Sequence, residues 1–341
     1  MTNMEPKERR IESIDLFKGV LVLLMIVYHT TLLYVTKGDD ERADLIRMEL
    51  TFLHSAFLFV SGFLCGFHYA PKRDQGVAVA RRVLTRGLRL FCVFALCNVV
   101  AYATTSAYEV SSFLKSFDSW ESISRSYILS VSGKLFAFEI LAYIAVYLCI
   151  ASITLAPIGL AVATFALIIA AATIPSPMLT FLQIGFLGQV LGTLVYYRNF
   201  SVHDTLNRKE TFVCLAILAL VARFIIPTEH WHSIPLIGPL WLVADTLLWW
   251  WCAAAANKAL PRAATRWIVF LGKYTLMAYL LQMPIIRIAS AISFNSSIDS
   301  RALYFATVIF TCVASLLFLH LLERARRRWV IADDAYRFAF A

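Results

Sequence analysis

Ten apolar stretches of roughly twenty residues dominate this chain. They fall at 16–35, 51–69, 87–105, 135–154, 157–174, 178–197, 211–227, 236–256, 267–288 and 302–322. A run of that length matches the hydrocarbon thickness of a bilayer when coiled into a helix. Inside a bilayer every backbone N–H and C=O must be satisfied by its own segment, so such runs predict helices and nothing else. The expected fold is therefore all-α, a polytopic membrane bundle of ten transmembrane helices. Charged residues make up 16% of the chain, against about 25% in soluble domains, and the mean hydropathy is +0.71. With 341 residues, the spans leave no room for a sizeable soluble domain. The expectation is one transmembrane domain over 1–330 and a short cytoplasmic tail over 331–341.

The loops set the orientation. The N-terminal segment carries Lys7, Arg9 and Arg10, and the loop after the second run carries Lys72, Arg73, Arg81 and Arg82. Arg198, Arg208 and Lys209 follow the sixth run, Lys258, Arg262 and Arg266 the eighth, and Arg324, Arg326, Arg327 and Arg328 the last. The alternate loops are poorer in cations or balance them with acids, as Asp39, Asp40, Glu41 and Asp44 do around Lys37, Arg42 and Arg47. The positive-inside rule then predicts both termini in the cytoplasm. The net charge of +9 is read as this loop bias and not as a nucleic-acid surface. The basic start of the chain meets no small-residue cleavage site after its first apolar run, so that run is expected to be retained. The fourth and fifth runs nearly touch at 156–157, which fits either a tight hairpin or a re-entrant element. The longest outer loop, 106–133, places Phe113, Phe117, Trp120 and Ile123 at helical spacing, the pattern of an amphipathic surface helix or of a substrate lid. The seven cysteines are scattered through apolar runs without a CxxC pair and are expected to pack as small apolar residues.

Against this apolar background the ionisable residues inside spans are the functional candidates, because each costs free energy to bury. Lys18 and His29 stand eleven positions apart in the first run, which returns a helix to nearly the same face about 16 Å along its axis. Asp15 shares that face one turn before Lys18. A neutral imidazole at mid-depth can take a proton from a hydroxyl and return it to a leaving group. Asp15 lies about 21 Å from it along the helix and cannot be its partner. Glu139, in the fourth run, either orients or ionises His29 or binds an acceptor hydroxyl. In ARRVLTRGLRLF, Arg82, Arg86 and Arg89 follow an i, i+4, i+7 spacing and line one helical face at the entrance to the third run. Positive-inside anchoring explains Arg81 and Arg82, while guanidinium groups further into the span suit a phosphate-rich ligand arriving from the cytoplasm. A phosphate site on that side and a base at mid-depth together point to a nucleotide-bearing donor used across the bilayer.

The remaining polar residues divide into packing and open cases. Ser61 and Gly62 in FLHSAFLFVSGFL are read as small packing residues, with Ser61 also a candidate oxyanion donor. A Gly-x-Ser-x-Gly elbow is absent, which argues against a serine hydrolase. His54 is placed near the outer end of its span. Arg223 and Asp245 fall in the outer halves of consecutive antiparallel spans and are expected to pair. Glu229, His230 and His232 offer two imidazoles without a third convincing ligand, so no metal is predicted.

SIDLFKGVLVLLMIVYHT, followed by FLHSAFLFVSGFL, RGLRLF, GFLGQVLGTLVYYR and LGKYTLMAYLLQMP, resembles the acyltransferase-3 family of integral membrane acyltransferases over about residues 10–290. The resemblance implies a ten-helix fold and transfer of an acyl group, usually acetyl, from cytoplasmic acyl-CoA to an extracytoplasmic carbohydrate or glycolipid acceptor. It assigns His29 as base or acyl relay, Lys18 as the basic residue at the inner end, and the arginine pair Arg86 and Arg89 as donor contacts. The candidate site is thus His29, Lys18 and Glu139 for catalysis and Arg82, Arg86 and Arg89 for the donor acetyl-CoA. The chain departs from the family pattern at Phe91–Cys92 and at GKLFAFE. It also carries Gln282 where a histidine often occurs. The expected location is the inner membrane of a bacterium, with lipids, acyl-CoA and a glycan as partners and no nucleic acid. The competing reading is a proton-coupled transporter or exporter of a sugar or anionic substrate; the absence of a visible internal repeat argues against it.

Overall fold

The computed structural model describes residues 12–34, 45–46, 49–69, 72, 75–103, 139–155, 157–173, 177–198, 210, 213–214, 216–218, 221, 237–293 and 300–340. Among these residues the regular structure is helical, with no strand. The helices are α1 (Glu12–Tyr34), α2 (Leu53–Tyr69), α3 (Val77–Ala103), α4 (Glu139–Ile153), α5 (Pro157–Thr173) and α6 (Pro177–Tyr197). They continue with α7 (Ile237–Ala259), α8 (Arg262–Lys273), α9 (Thr275–Ser293), α10 (Ser300–Arg328) and α11 (Val330–Phe340). Helices occupy nine of the ten expected positions; most of the run at 211–227 lies outside the described residues. By length and composition, α1, α6 and α10 are able to cross a membrane, and α8 with α9 forms a fourth candidate if counted as one bent span. The apolar helices α2, α4 and α5 are shorter.

α1 shows how the sequence makes a helix that satisfies itself. Glu12 and Asp15 lie in its first turn, where carboxylates face the positive end of the helix dipole. The hydroxyls of Thr30 and Thr31 donate back to the carbonyls of Ile26 and Val27 at 2.7 and 2.8 Å, so neither polar group costs an unmet hydrogen bond. Phe17 and Met25 are fully buried, and Phe17 stacks on Trp250 of α7 with ring centroids 5.8 Å apart.

The closest helix packing runs through glycines. α2 and α6 form the most extensive interface. A Cβ added at Gly62 or Gly66 would overlap the carbonyl of Gly185 or Gln189, and one added at Gly188 or Gly192 would overlap the carbonyl of Phe59 or Phe63. This is the small-residue stripe that lets helix backbones touch where no hydrophobic effect pulls them together. The expected packing role of Gly62 therefore holds. α3 and α4 form a second closely packed pair, with Gly87 against Cys149 and the Ala145 carbonyl.

Two expectations change. The run at 267–288 is not one straight span: α8 and α9 meet at Tyr274 with a 92° bend. Gly19 and Gly272 bring α8 backbone-to-backbone against α1, next to Ile268 and Asp15. That contact fixes α8, and the chain turns at Tyr274, whose N–H is shared between the Phe270 and Leu271 carbonyls at 3.3 and 3.1 Å. The segment 331–341, expected as a tail, is helical through Phe340 and packs against α10 and α3. The fourth and fifth runs are separate helices, with a break at 154–155.

Candidate functional site

A cavity of about 450 Å³ lies between α2, α3, α4 and the start of α9, with Lys18 of α1 and Tyr336 of α11 contributing to its wall. Along α2 its lining runs from Phe57 to Tyr69, about 18 Å of helix axis. The wall is apolar toward Phe57, Ile140 and Tyr279, and basic toward Lys18, Lys72, Arg86 and Arg89. All of these basic residues except Lys72 belong to described helices, so the cation cluster is carried on rigid elements.

Lys18 is ion-paired to Asp15 at 2.8 Å, with both side chains largely covered. The pair is the i, i+3 neighbour relation expected of one helix face. Arg86 and Arg89 line the cavity, as their register on α3 predicts. Arg82 is exposed and is not part of the lining. It shares the face of the other two but stands one turn, about 6 Å, further back along the axis.

His29 is buried, 8% exposed, and its Nδ1 has no hydrogen-bond partner among the described residues. A buried polar nitrogen left unpaired is costly, which makes His29 a candidate for binding or reacting with a further group. His29 does not line the cavity itself. Tyr279 does, and its ring centroid lies 6.3 Å from that of His29 and 6.3 Å from that of Phe57. Tyr279 therefore borders both the cavity and the histidine. On the other side, Tyr28 lies 5.7 Å from His29 and 6.2 Å from His54, so both histidines border one aromatic cluster.

Lys18 and His29 are brought to opposite ends of this arrangement. Their axial separation of about 16 Å excludes contact with one reacting atom, so Lys18 is suited to a ligand's anionic end. Ser61 lines the cavity, but its hydroxyl donates to the Phe57 carbonyl at 2.8 Å and is not free to stabilise an oxyanion. Glu139 opens α4, and its side chain lies outside the described residues. Arg223, Glu229, His230, His232 and the loop 106–133 also lie outside them. Asp245 is buried on α7. Gln282 is fully buried, and neither amide atom has a hydrogen-bond partner among the described residues.

Sequence reasoning passed over the aromatic residues at the cavity. Tyr279 sits three positions before Gln282, and that polar residue in an apolar helix was the signal that this turn of α9 faces the interior. At the basic end, Lys273 lies 3.6 Å from Glu323 and 5.3 Å from the Tyr274 ring centroid. Arg326 bonds Asp333 at 2.7 Å and lies 3.8 Å from the centroid of Tyr336. Burial raises the Tyr336 phenol above its ordinary value despite the opposing pull of Arg326 and Arg86, so its hydroxyl stays neutral.

Compared with known protein families, residues 11–320 match the model described as an acyltransferase domain, Acyl_transf_3. No curated protein and no solved structure gives a significant match.

Proposed function

The chain belongs to the acyltransferase-3 family, and from that premise we propose that it is an O-acetyltransferase moving an acetyl group from cytoplasmic acetyl-CoA to a hydroxyl of an extracytoplasmic glycan. The protein is a membrane acyltransferase by family and by its apolar helices. The proposal adds donor, acceptor and direction. It includes ten transmembrane helices and a basic cavity mouth facing the cytoplasm, in the inner membrane of a bacterium, as the loop charges favour.

The observation that carries the reading is the cavity itself. Its cations lie at one end, and at the other Tyr279 touches His29. A donor with phosphates at one end and a thioester on a long flexible arm fits that polarity. Arg86, Arg89 and Lys18 take the phosphates, since guanidinium and ammonium groups form charge-assisted hydrogen bonds to them. The arm runs along α2 toward Tyr279. Lys18 therefore serves the donor and not the reacting carbonyl.

In the transfer step His29 takes the proton of the acceptor hydroxyl as that oxygen attacks the thioester carbonyl. The new C–O bond forms, the C–S bond breaks, and the proton passes to the departing thiolate. The alternative order, with His29 carrying the acyl group between donor and acceptor, uses the same nitrogen as nucleophile. Glu139 retains its proposed role of orienting His29 or binding the acceptor.

The test is acetyl transfer by purified His29→Ala protein whose thermal midpoint in detergent matches the wild type. We expect a loss of about 10²-fold or more, the usual contribution of a general base. Full activity in folded His29→Ala would overturn the mechanism. Mass spectrometry of envelope glycans from a deletion strain identifies the acceptor by its lost acetyl mass.

A further inference from the structure

The family match ends at residue 320, yet the wall of the cavity continues beyond it. α10 ends at Arg328, the chain turns at Trp329, and α11 packs back against α10 and α3. The turn is tied by backbone bonds from Ala332 and Asp333 to the Trp329 carbonyl at 3.1 and 3.2 Å. Arg326 then joins α10, α11 and the bend at Tyr274. Its Nη2 and Nε bond Oδ1 of Asp333 at 2.7 and 2.9 Å, and its Nη1 donates to the Tyr274 hydroxyl at 3.3 Å. Its guanidinium plane covers Tyr336 at 3.8 Å. Asp333 also accepts from Arg337 at 2.7 Å. The rings of Tyr274 and Tyr336 meet edge to face at 5.8 Å, and both line the cavity with Arg86 and Arg89.

The charges have separate tasks here. Arg326 is committed to Asp333 and to the two tyrosines, so it serves to hold Tyr336 in the wall. Arg86, on α3, lies near enough to act on the Tyr336 phenol electrostatically. A cation pair beside a fixed aromatic ring is the chemistry that receives phosphate and a planar base together.

We propose that α11 is part of the donor site, with Tyr336 as an aromatic wall for the base of a nucleotide-bearing donor and Arg326 as the residue that positions it. This rests on reading the cavity as the donor site. It assigns binding function to a helix outside the region that matches the family.

The test measures binding to the purified full chain in detergent, with coenzyme A, adenosine bisphosphate (the nucleotide end of coenzyme A) and inorganic pyrophosphate as probes. Tyr336→Ala should weaken coenzyme A and adenosine bisphosphate by the same factor, about tenfold for one base–aromatic stack. Pyrophosphate binding should be unchanged, and Tyr336→Phe should match the wild type for all three. Arg326→Gln should reproduce the Tyr336→Ala pattern and provides the same test if Tyr336→Ala does not fold. Equal weakening of pyrophosphate, or no weakening of coenzyme A, would overturn the proposal. Wild-type protein that binds no coenzyme A overturns the donor reading as well, whereas wild-type binding with indifferent variants overturns this inference alone.

Discussion

The ring of Tyr279 lies 6.3 Å from that of His29, while the same tyrosine lines the basic cavity. One side chain therefore borders both the space offered to the donor and the imidazole. Its ring is buried, 4% exposed, between them. Replacing it with phenylalanine should preserve transfer within a few fold. Tyr279→Ala should lose most activity and also lower stability by about 3–5 kcal/mol, the usual cost of deleting a buried aromatic ring. Thermal unfolding and initial rates on both variants check this; equal activity in Tyr279→Ala would show that the ring has no part in transfer.

The arginines on α3 should separate in kinetics as they do in space. Arg86→Ala and Arg89→Ala each remove a charge-assisted contact worth about 1.5–3 kcal/mol, which is about 10- to 100-fold in KM for acetyl-CoA. Arg82→Ala, outside the cavity lining, should change KM less than threefold. A donor titration at saturating acceptor reads all three, and an Arg82 effect as large as the others would contradict the axial argument.

Gln282 offers a stability test with an unusual sign. Its buried amide has no partner among the described residues, so the folded state bears the desolvation of two polar atoms. An apolar group of similar shape removes that cost. Gln282→Leu should hold or raise the thermal midpoint, and Gln282→Glu should lower it. A clear drop in Gln282→Leu would mean that the amide is paired in the membrane-embedded protein.

The glycine stripe predicts a contrast between neighbouring small residues. Gly188→Ala places a methyl on the Phe59 carbonyl and should destabilise by about 1–3 kcal/mol through overpacking. At Gly159 the nearest atom to an added Cβ is 3.5 Å away. Gly159→Ala should therefore be neutral or stabilising by up to about 1 kcal/mol. Melting curves of the two variants in one detergent decide it.

The helical class was legible because hydropathy reports directly on the solvent a segment must face, and the Asp15–Lys18–His29 register follows from helix geometry alone. The arginine face was legible for the same reason. What stayed hidden depends on contacts between segments far apart in sequence. The bend at Tyr274 arises from Gly272 pressed against α1, and a glycine in an apolar run carries no sign of which backbone it will meet. Ser61 looked available until its hydroxyl was found on the Phe57 carbonyl. Tyr336 lies in a short stretch after the last apolar run and its arginines, where a tail is expected, and contacts from Arg326 and Tyr274 hold it in the wall. Aromatic residues are so common in this chain that no single one stands out before the helices are packed.

The two glycine-welded pairs, α2 with α6 and α3 with α4, have a mechanical consequence. Each pair is joined backbone to backbone, and the two adjoin each other through much smaller interfaces. The cavity lies where α2 of one pair faces α3 and α4 of the other, and α1, the bend at Tyr274 and α11 complete its wall. On that arrangement, a substitution remote from any lining residue that shifts one pair against the other would change the width of the cavity.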